Sequence, residues 1–183
     1  MVLNRKNSKT IQTPSRHTSQ ASDWVKRFAR HVPPDSTVLD VACGSGRQGR
    51  FFLKKGYPVT FADKNIAAVT DLVAHPNARI IAGDLQAGPW PLGAELFQCI
   101  VVTNYLWRPN FERLLTHLDG LLIYETFAEG NEKFGRPQHP DFLLRKGELF
   151  ERVRGNFQVL AYEQRTRHHP DLAIIQRLAA RTF

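Results

Sequence analysis

The chain has 183 residues, a formal net charge of +8 and 42% apolar residues, enough for one domain with its own core and too apolar for general disorder. No run approaches the ~20 apolar residues of a membrane span, and no charged start followed by an apolar stretch marks a secretory leader, so a cytoplasmic protein is expected. The only two cysteines, Cys43 and Cys99, lie in apolar strand-like segments and read as buried thiols, since a disulfide framework or metal site would need more partners.

The charge is uneven. Residues 1–34 hold seven Lys/Arg and one acid, whereas 35–183 hold eighteen and sixteen. Residues 1–20 are polar and lack periodicity, so they read as a flexible basic arm ahead of a single domain over 21–183. Such an arm can bind nucleic acid, although a solvated tail is the plainer expectation. Next, 22–32 predicts a helix capped by Ser22, with Trp24, Val25, Phe28 and Ala29 at helical spacing and Pro33 and Pro34 as its stop. The apolar run 36–43 predicts a strand covered on both faces. A helix over 47–56 ends at Gly56, a strand over 57–63 follows, and Asn65 caps a helix to about Val73. Further strands are expected over 78–84 and 96–104. Phe111, Leu114, Leu115 and Leu118 form a helical stripe ending at Gly120, before a strand over 121–127. The aperiodic segment 128–140 reads as a long loop, and 141–153 as one helix with a weak point at Gly147. Strands over 157–167 and 172–180 are joined by only four residues, too few for a crossover, so they form an antiparallel hairpin.

Strand and helix alternate five times before that hairpin. The expected fold is a Rossmann-like α/β domain: a doubly wound, seven-stranded, mostly parallel sheet with helices on both faces and a C-terminal antiparallel hairpin. Ligands of such sheets bind at the carboxyl ends of the strands. Asp40, Asp63, Asp84 and Asn104 all fall there.

Gly44, Gly46 and Gly49 spell G-x-G-x-x-G, the pattern of dinucleotide sites, with Asp63 nineteen residues after Gly44. A dinucleotide places its pyrophosphate on that turn, where Asp40 would repel it. S-adenosylmethionine carries no phosphate. Its carboxylate suits the helix start, its cationic groups suit a nearby acid, and its ribose hydroxyls suit Asp63. Asp84 would meet the adenine amino group, with Leu85 against the ring.

With those residues in place, the sequence resembles the class I S-adenosylmethionine-dependent methyltransferases over about residues 20–181. "VLDVACGSGR" (38–47), "VTFADKN" (59–65), "IIAGDLQ" (80–86) and "FQCIVVTNYLW" (97–107) match four family motifs in order. Within the class, the chain looks most like small bacterial enzymes of the tellurite-resistance and thiopurine type. The resemblance implies Asp40, Gly44 and Gly46 at the amino-acid end of the cofactor, Asp63 at the ribose, Asp84 and Leu85 at the adenine, and Asn104 beside the methyl donor, with Ala42 and Lys64 also among the cofactor-binding residues. Gly49 reads as a helix-packing glycine.

Methyl transfer needs an aligned acceptor and, for O–H or N–H acceptors, an exit for a proton. Glu125 lies inside an apolar strand, where an acid needs a partner, and is the candidate base. Tyr105 is the second catalytic candidate. Trp24, Arg108 and Arg136 are candidates for substrate binding, the two arginines for an anionic acceptor group; Trp107, Asn131, Glu132 and His139 lie in the same segments. Each has a plainer role, in packing, surface pairing or solvation. A small-molecule acceptor is favoured, because the chain carries no appended recognition domain and "TNYLW" lacks the paired prolines of amino-methylating nucleic-acid enzymes. Two alternatives stand beside it: an RNA or protein methyltransferase gripping its target with the basic arm, and a cofactor-binding protein without catalysis. No metal is expected.

Overall fold

The computed structural model describes residues 20–183; the basic arm expected over 1–20 lies outside it except for Gln20. Seven strands form one sheet: β1 (Val38–Val41), β2 (Val59–Asp63), β3 (Ala78–Ala82), β4 (Phe97–Thr103), β5 (Leu118–Phe127), β6 (Gln158–Arg167) and β7 (Ala173–Arg181). Their order across the sheet is β3-β2-β1-β4-β5-β7-β6. The first five are parallel, and β7 runs antiparallel to both β5 and β6. The chain reverses direction across the sheet between β1 and β4, and an open α/β sheet opens its ligand crevice at such a switch point.

The apolar strands are buried on both faces, as their near-continuous hydrophobic runs require. Val38 packs toward helices α1 (Asp23–Ala29) and α2 (Arg47–Leu53), whereas Leu39 and Val41 pack toward α3 (Phe111–Leu115) and α4 (Glu148–Val153). Successive residues of one strand thus feed two separate cores, and both hold the carboxyl edge in place.

Three expected helices differ. The segment after Asn65 is a 3-10 turn over Ala67–Leu72. The Asn65 side chain accepts a single bond from the Ala67 amide at 3.1 Å, which closes a turn and starts no α-helix. The stripe over 111–118 splits: α3 ends at Leu115, and Leu118 already begins β5. Leu118 is buried in either state, so periodicity could not separate the two. Gly120 does not stop a helix; it sits in β5 at φ +151°, where a Cβ would press on the Gln98 carbonyl of the neighbouring strand. The helix expected over 141–153 is a 3-10 turn at Pro140–Phe142, an extended Leu143, and then α4. Gly147, at φ 74°, caps α4 from the left-handed region that glycine enters freely.

Candidate functional site

The turn after β1 carries the strained backbone of the site. Ala42 adopts φ 50° and Asn104, at the end of the adjacent β4, φ 55°. A residue with a Cβ occupies this region only at a cost, and such strain collects at binding sites. Gly44 and Gly46 are also left-handed, at φ 54° and 69°. Around Gly44 a Cβ would meet nothing within 4 Å, whereas at Gly46 it would lie 2.8 Å from Val69 and at Gly49 directly against the Phe61 ring. The three glycines thus divide: Gly44 faces open space, and Gly46 and Gly49 let α2 settle onto β2.

Two acids hold this turn. Asp40 is buried, and its Oδ2 accepts from the Gly49 amide at 2.8 Å. Burial pushes its carboxyl up to about 7, against the lowering effect of the Gly49 amide and Arg47. Asp40 therefore ties α2 to β1 through the Gly49 amide. Asp63 is placed differently. Half-buried at the end of β2, it accepts from Gly44 N at 2.8 Å through Oδ2 and from Asn65 N at 2.9 Å through Oδ1. A carboxylate has about four acceptor sites, so two amide bonds leave capacity for hydroxyl groups of a ligand. Lys64 beside it is exposed.

At the end of β3, Asp84 Oδ1 accepts from the Gln86 amide at 2.8 Å. Leu85 is 5% exposed, packed in the core, and its carbonyl accepts from Asn110 Nδ2 at 2.7 Å. Asn104 is exposed, with its backbone amide bonded to the Glu125 carbonyl at 2.9 Å.

The α1 side is closed by a polar network that sequence reasoning only partly found. Ser22 Oγ accepts from Trp24 N and donates to Glu125 Oε1, both at 3.1 Å. The buried Gln48 accepts from Ser22 N at 3.0 Å and donates to Thr103 Oγ1 at 3.2 Å. Arg167 and Arg177 approach the Glu125 carboxylate to 3.8 and 3.7 Å. Glu125, the candidate base, thus has the partners that its burial requires, and it links α1 to the hairpin. Trp24 is likewise spent: it is 1% exposed, its indole N–H donates to the Leu178 carbonyl at 3.1 Å, and Arg177 stacks on its ring at 4.5 Å. It packs the cover and touches no cleft. The signal for Gln48 was present, since it falls four residues before Phe52 on the buried face of α2 and a polar group there needs a partner.

On the opposite face a cleft of about 280 Å³ opens beside Asn104. Its lining comes from Gln86 after β3, Tyr105 and Leu106 after β4, Thr126 and Phe127 of β5, and Pro137 and Phe142 of the 128–142 segment. Tyr105 thus lines a pocket on the carboxyl edge. Burial pushes its hydroxyl up to about 12, with the Gln86 side chain close enough to pull it partly back. Arg108 is not available to a substrate. Its Nε and Nη2 grip Glu148 at 2.7 and 2.8 Å, and its remaining N–H groups donate to the carbonyls of Pro140, Asp141 and Leu143. All five donors of a guanidinium are consumed. Burial alone would raise the Glu148 carboxyl, but hydrogen bonds from Arg108, the Arg145 amide and Arg152 bring it down to about 2. This clamp fastens the segment over the cleft to α4. Arg136 is exposed on that segment, next to Pro137, as are Glu132 and His139, whereas Asn131 is buried and bonded to the Ile174 amide. Cys43 and Cys99 are buried free thiols.

No protein-family model matches the chain, and no curated protein matches it in sequence. Solved structures match its fold. TehB from Haemophilus influenzae superposes with a TM-score of 0.70 at 23% identity, over 87% of this chain and 61% of its own, so the chain spans less than two thirds of that protein. The 1,6-didemethyltoxoflavin-N1-methyltransferase of Burkholderia thailandensis, solved with 1,6-didemethyltoxoflavin and S-adenosylhomocysteine, gives 0.66 at 19% identity over 87% and 76%. A TehB-like S-adenosylmethionine-dependent methyltransferase from Corynebacterium glutamicum gives 0.62 at 18% over 87% of each. The architecture is that of class I S-adenosylmethionine-dependent methyltransferases, and no helix of the described residues is long and apolar enough to cross a membrane.

Proposed function

We propose that the chain is an S-adenosylmethionine-dependent methyltransferase acting on a small-molecule acceptor. The observation that carries this reading is the paired strain at the switch point: Ala42 and Asn104, at the ends of neighbouring strands, both hold left-handed backbones around the open face of Gly44. Bound there, S-adenosylmethionine supplies an electrophilic methyl group, which a nucleophilic acceptor takes to leave S-adenosylhomocysteine.

The donor set fits that cofactor. Gly44 lets the backbone approach a ligand without a side chain intervening. Asp63 keeps lone pairs for two ribose hydroxyls while its bonds to Gly44 and Asn65 fix its orientation. Asp84, locked in its turn by the Gln86 amide, offers its second oxygen to an amino group. Asn104 borders both the turn and the cleft, and Tyr105 and Thr126 would orient the acceptor within it. The closed Ser22–Gln48–Glu125 network keeps water out from the α1 side. A dinucleotide fits less well, because the Asp63 carboxylate already accepts from the Gly44 amide of the turn that a pyrophosphate would occupy. The lack of any charged side chain in the cleft lining supports a small molecule over a polyanion.

Calorimetry with S-adenosylhomocysteine and with NAD tests the reading. Micromolar binding of the first and none of the second is expected; comparable binding of NAD would overturn it.

A further inference from the structure

Positive charge outnumbers negative on the α1 side of the sheet near the carboxyl end of β5. Glu125, Arg177 and Glu163 lie in one row across β5, β7 and β6. Glu163 faces Arg177 at 2.7 Å, Arg27 at 3.6 Å and Arg165 at 3.8 Å. Glu125 faces Arg177 at 3.7 Å and Arg167 at 3.8 Å. Arg47, the first residue of α2, is near enough for the charges of Glu125 and Arg167 to act on it. Five arginines thus share two carboxylates. Asp40 also acts on Arg47, but burial raises its carboxyl to about 7, so near neutral pH it carries only part of a charge. The chain ahead of α1 supplies no acid, since residues 1–22 contain neither Asp nor Glu.

Arg167 is the least satisfied of the five for its depth. Its side chain is 16% exposed, against 24% for Arg108. Arg108 spends all five of its donors, whereas among the described residues Arg167 makes one hydrogen bond, from Nε to the Asp171 carbonyl at 3.4 Å. Its approach to Glu125 is an ion pair beyond hydrogen-bond reach. Both terminal nitrogens, the fork that a carboxylate accepts, are left unspent. Arg47 likewise donates once, from Nη1 to the Gln20 carbonyl at 3.2 Å. Gln20 lies two residues before Ser22, whose hydroxyl donates to Glu125 Oε1, the oxygen that Arg167 approaches. The two guanidiniums are therefore held around one place. The Arg167 guanidinium carbon stands 5.8 Å from the centre of the Phe127 ring, and Phe127 lines the cleft. β5 is two strands from β1, roughly 10 Å at ~4.8 Å per strand, so Arg167 stands by the cleft and away from the Gly44 turn.

We propose that the methyl acceptor carries a carboxylate, which the terminal nitrogens of Arg167 hold at the rim of the cleft while Arg47 faces it from the start of α2. The inference rests on the methyltransferase reading and names the acceptor's chemical class. Glu125 offsets one of the three arginine charges around it, and the surplus is what attracts the anion. A carboxylate accepts two parallel bonds from a guanidinium, so the contact also orients the acceptor.

The test uses the full chain and two probes of one shape, benzoate and benzamide, titrated by ligand-observed NMR with and without S-adenosylhomocysteine. We expect benzoate to bind at least tenfold more tightly than benzamide under both conditions. Arg167→Gln should cut that preference at least fivefold and Arg47→Gln at least threefold, with S-adenosylhomocysteine affinity unchanged. Arg154→Gln, which removes an exposed charge at the end of α4, should leave the preference intact. If Arg167→Gln fails to fold, Arg167→Lys replaces it: it keeps the charge beside Glu125 and loses the planar fork, and the preference should still fall at least threefold. Equal binding of the two probes, a preference untouched by the Arg167 variants, or one cut as much by Arg154→Gln overturns the proposal. Displacement of benzoate by S-adenosylhomocysteine but not by 5′-methylthioadenosine, which lacks the carboxylate, would assign the arginine pair to the cofactor and overturn it as well. Failure of S-adenosylhomocysteine to bind would overturn the parent reading instead, and the probe preference on the free protein would still judge this one.

Discussion

Asp63 Oδ2 accepts a hydrogen bond from the Gly44 amide at 2.8 Å, so the acid at the end of β2 fixes the turn at the end of β1. The same carboxylate would serve the cofactor ribose. Asp63→Ala removes both contacts, and charge-assisted hydrogen bonds are worth roughly 1.5–3 kcal/mol. S-adenosylhomocysteine affinity should fall about tenfold or more, as read by calorimetry. An unchanged dissociation constant would place the ribose elsewhere.

Asp40 should make stability depend on pH. Its carboxyl is raised from an ordinary 3.8 to about 7, so between those values the folded protein holds a proton that the unfolded chain releases. The stabilisation is complete at the bottom of that window, falls as pH rises through it, and is gone above about 7. The limiting slope is about 1.4 kcal/mol per pH unit. Glu148, brought down to about 2, has finished titrating by pH 5. Urea unfolding should therefore show lower stability at pH 8 than at pH 5, and Asp40→Asn should flatten the profile. A profile unaltered by that substitution would show that Asp40 is not the titrating group.

Glu125 offers a contrast between anchoring and catalysis. Its carboxylate, 3% exposed, meets Ser22, Arg167 and Arg177. Breaking a buried ion pair from one side costs about 3–5 kcal/mol; Glu125→Gln keeps the Ser22 contact and should cost roughly 2–4. The Tm should drop by at least about 5 °C, with S-adenosylhomocysteine affinity of the folded protein preserved. A stable variant that has lost turnover would restore Glu125 as the base.

The glycines should separate by function. Gly49→Ala drives a Cβ into the Phe61 ring, an overpacking that costs about 1–3 kcal/mol of stability. Gly44→Ala meets no atom and bears only the strain of its positive φ, about 1–3 kcal/mol, while its methyl projects toward the ligand. Thermal melts should fall for both, while cofactor affinity of the folded protein should fall for Gly44→Ala and hold for Gly49→Ala. The reverse pattern would refute the division.

Removal of residues 1–19 tests the basic arm. Gln20 accepts from Lys26 Nζ at 3.3 Å and its carbonyl from Arg47 at 3.2 Å, so truncation stops short of it. Cofactor affinity should be unchanged, and RNA should not shift in a gel at 150 mM salt with either form. A salt-sensitive RNA complex lost with the arm would favour an RNA acceptor.

The strand ends were legible because each acid or amide follows an apolar run directly, and the hairpin because four residues cannot carry a crossover. The helical breaks were not. Segment 141–153 reads as one helix until Arg108 draws the carbonyls of 140–143 toward itself, and that residue lies forty positions from Glu148. No local pattern reports a partner so distant. Arg108 and Trp24 looked like ligands for the same reason: their chemistry was visible, and the groups that consume it were elsewhere in the chain. Ala42 gave no sign of its backbone, since alanine suggests nothing left-handed.

Trp24 donates to the Leu178 carbonyl across 154 positions of sequence, and β7 is inserted between β5 and β6. During synthesis, α1 waits for a strand that follows it by some 150 residues, since Trp24 and Leu178 lie 154 positions apart. Such remote pairing slows folding. A nascent chain stalled before Ala173 would lack its keystone: it should bind no S-adenosylhomocysteine and should be cut readily by protease at α1.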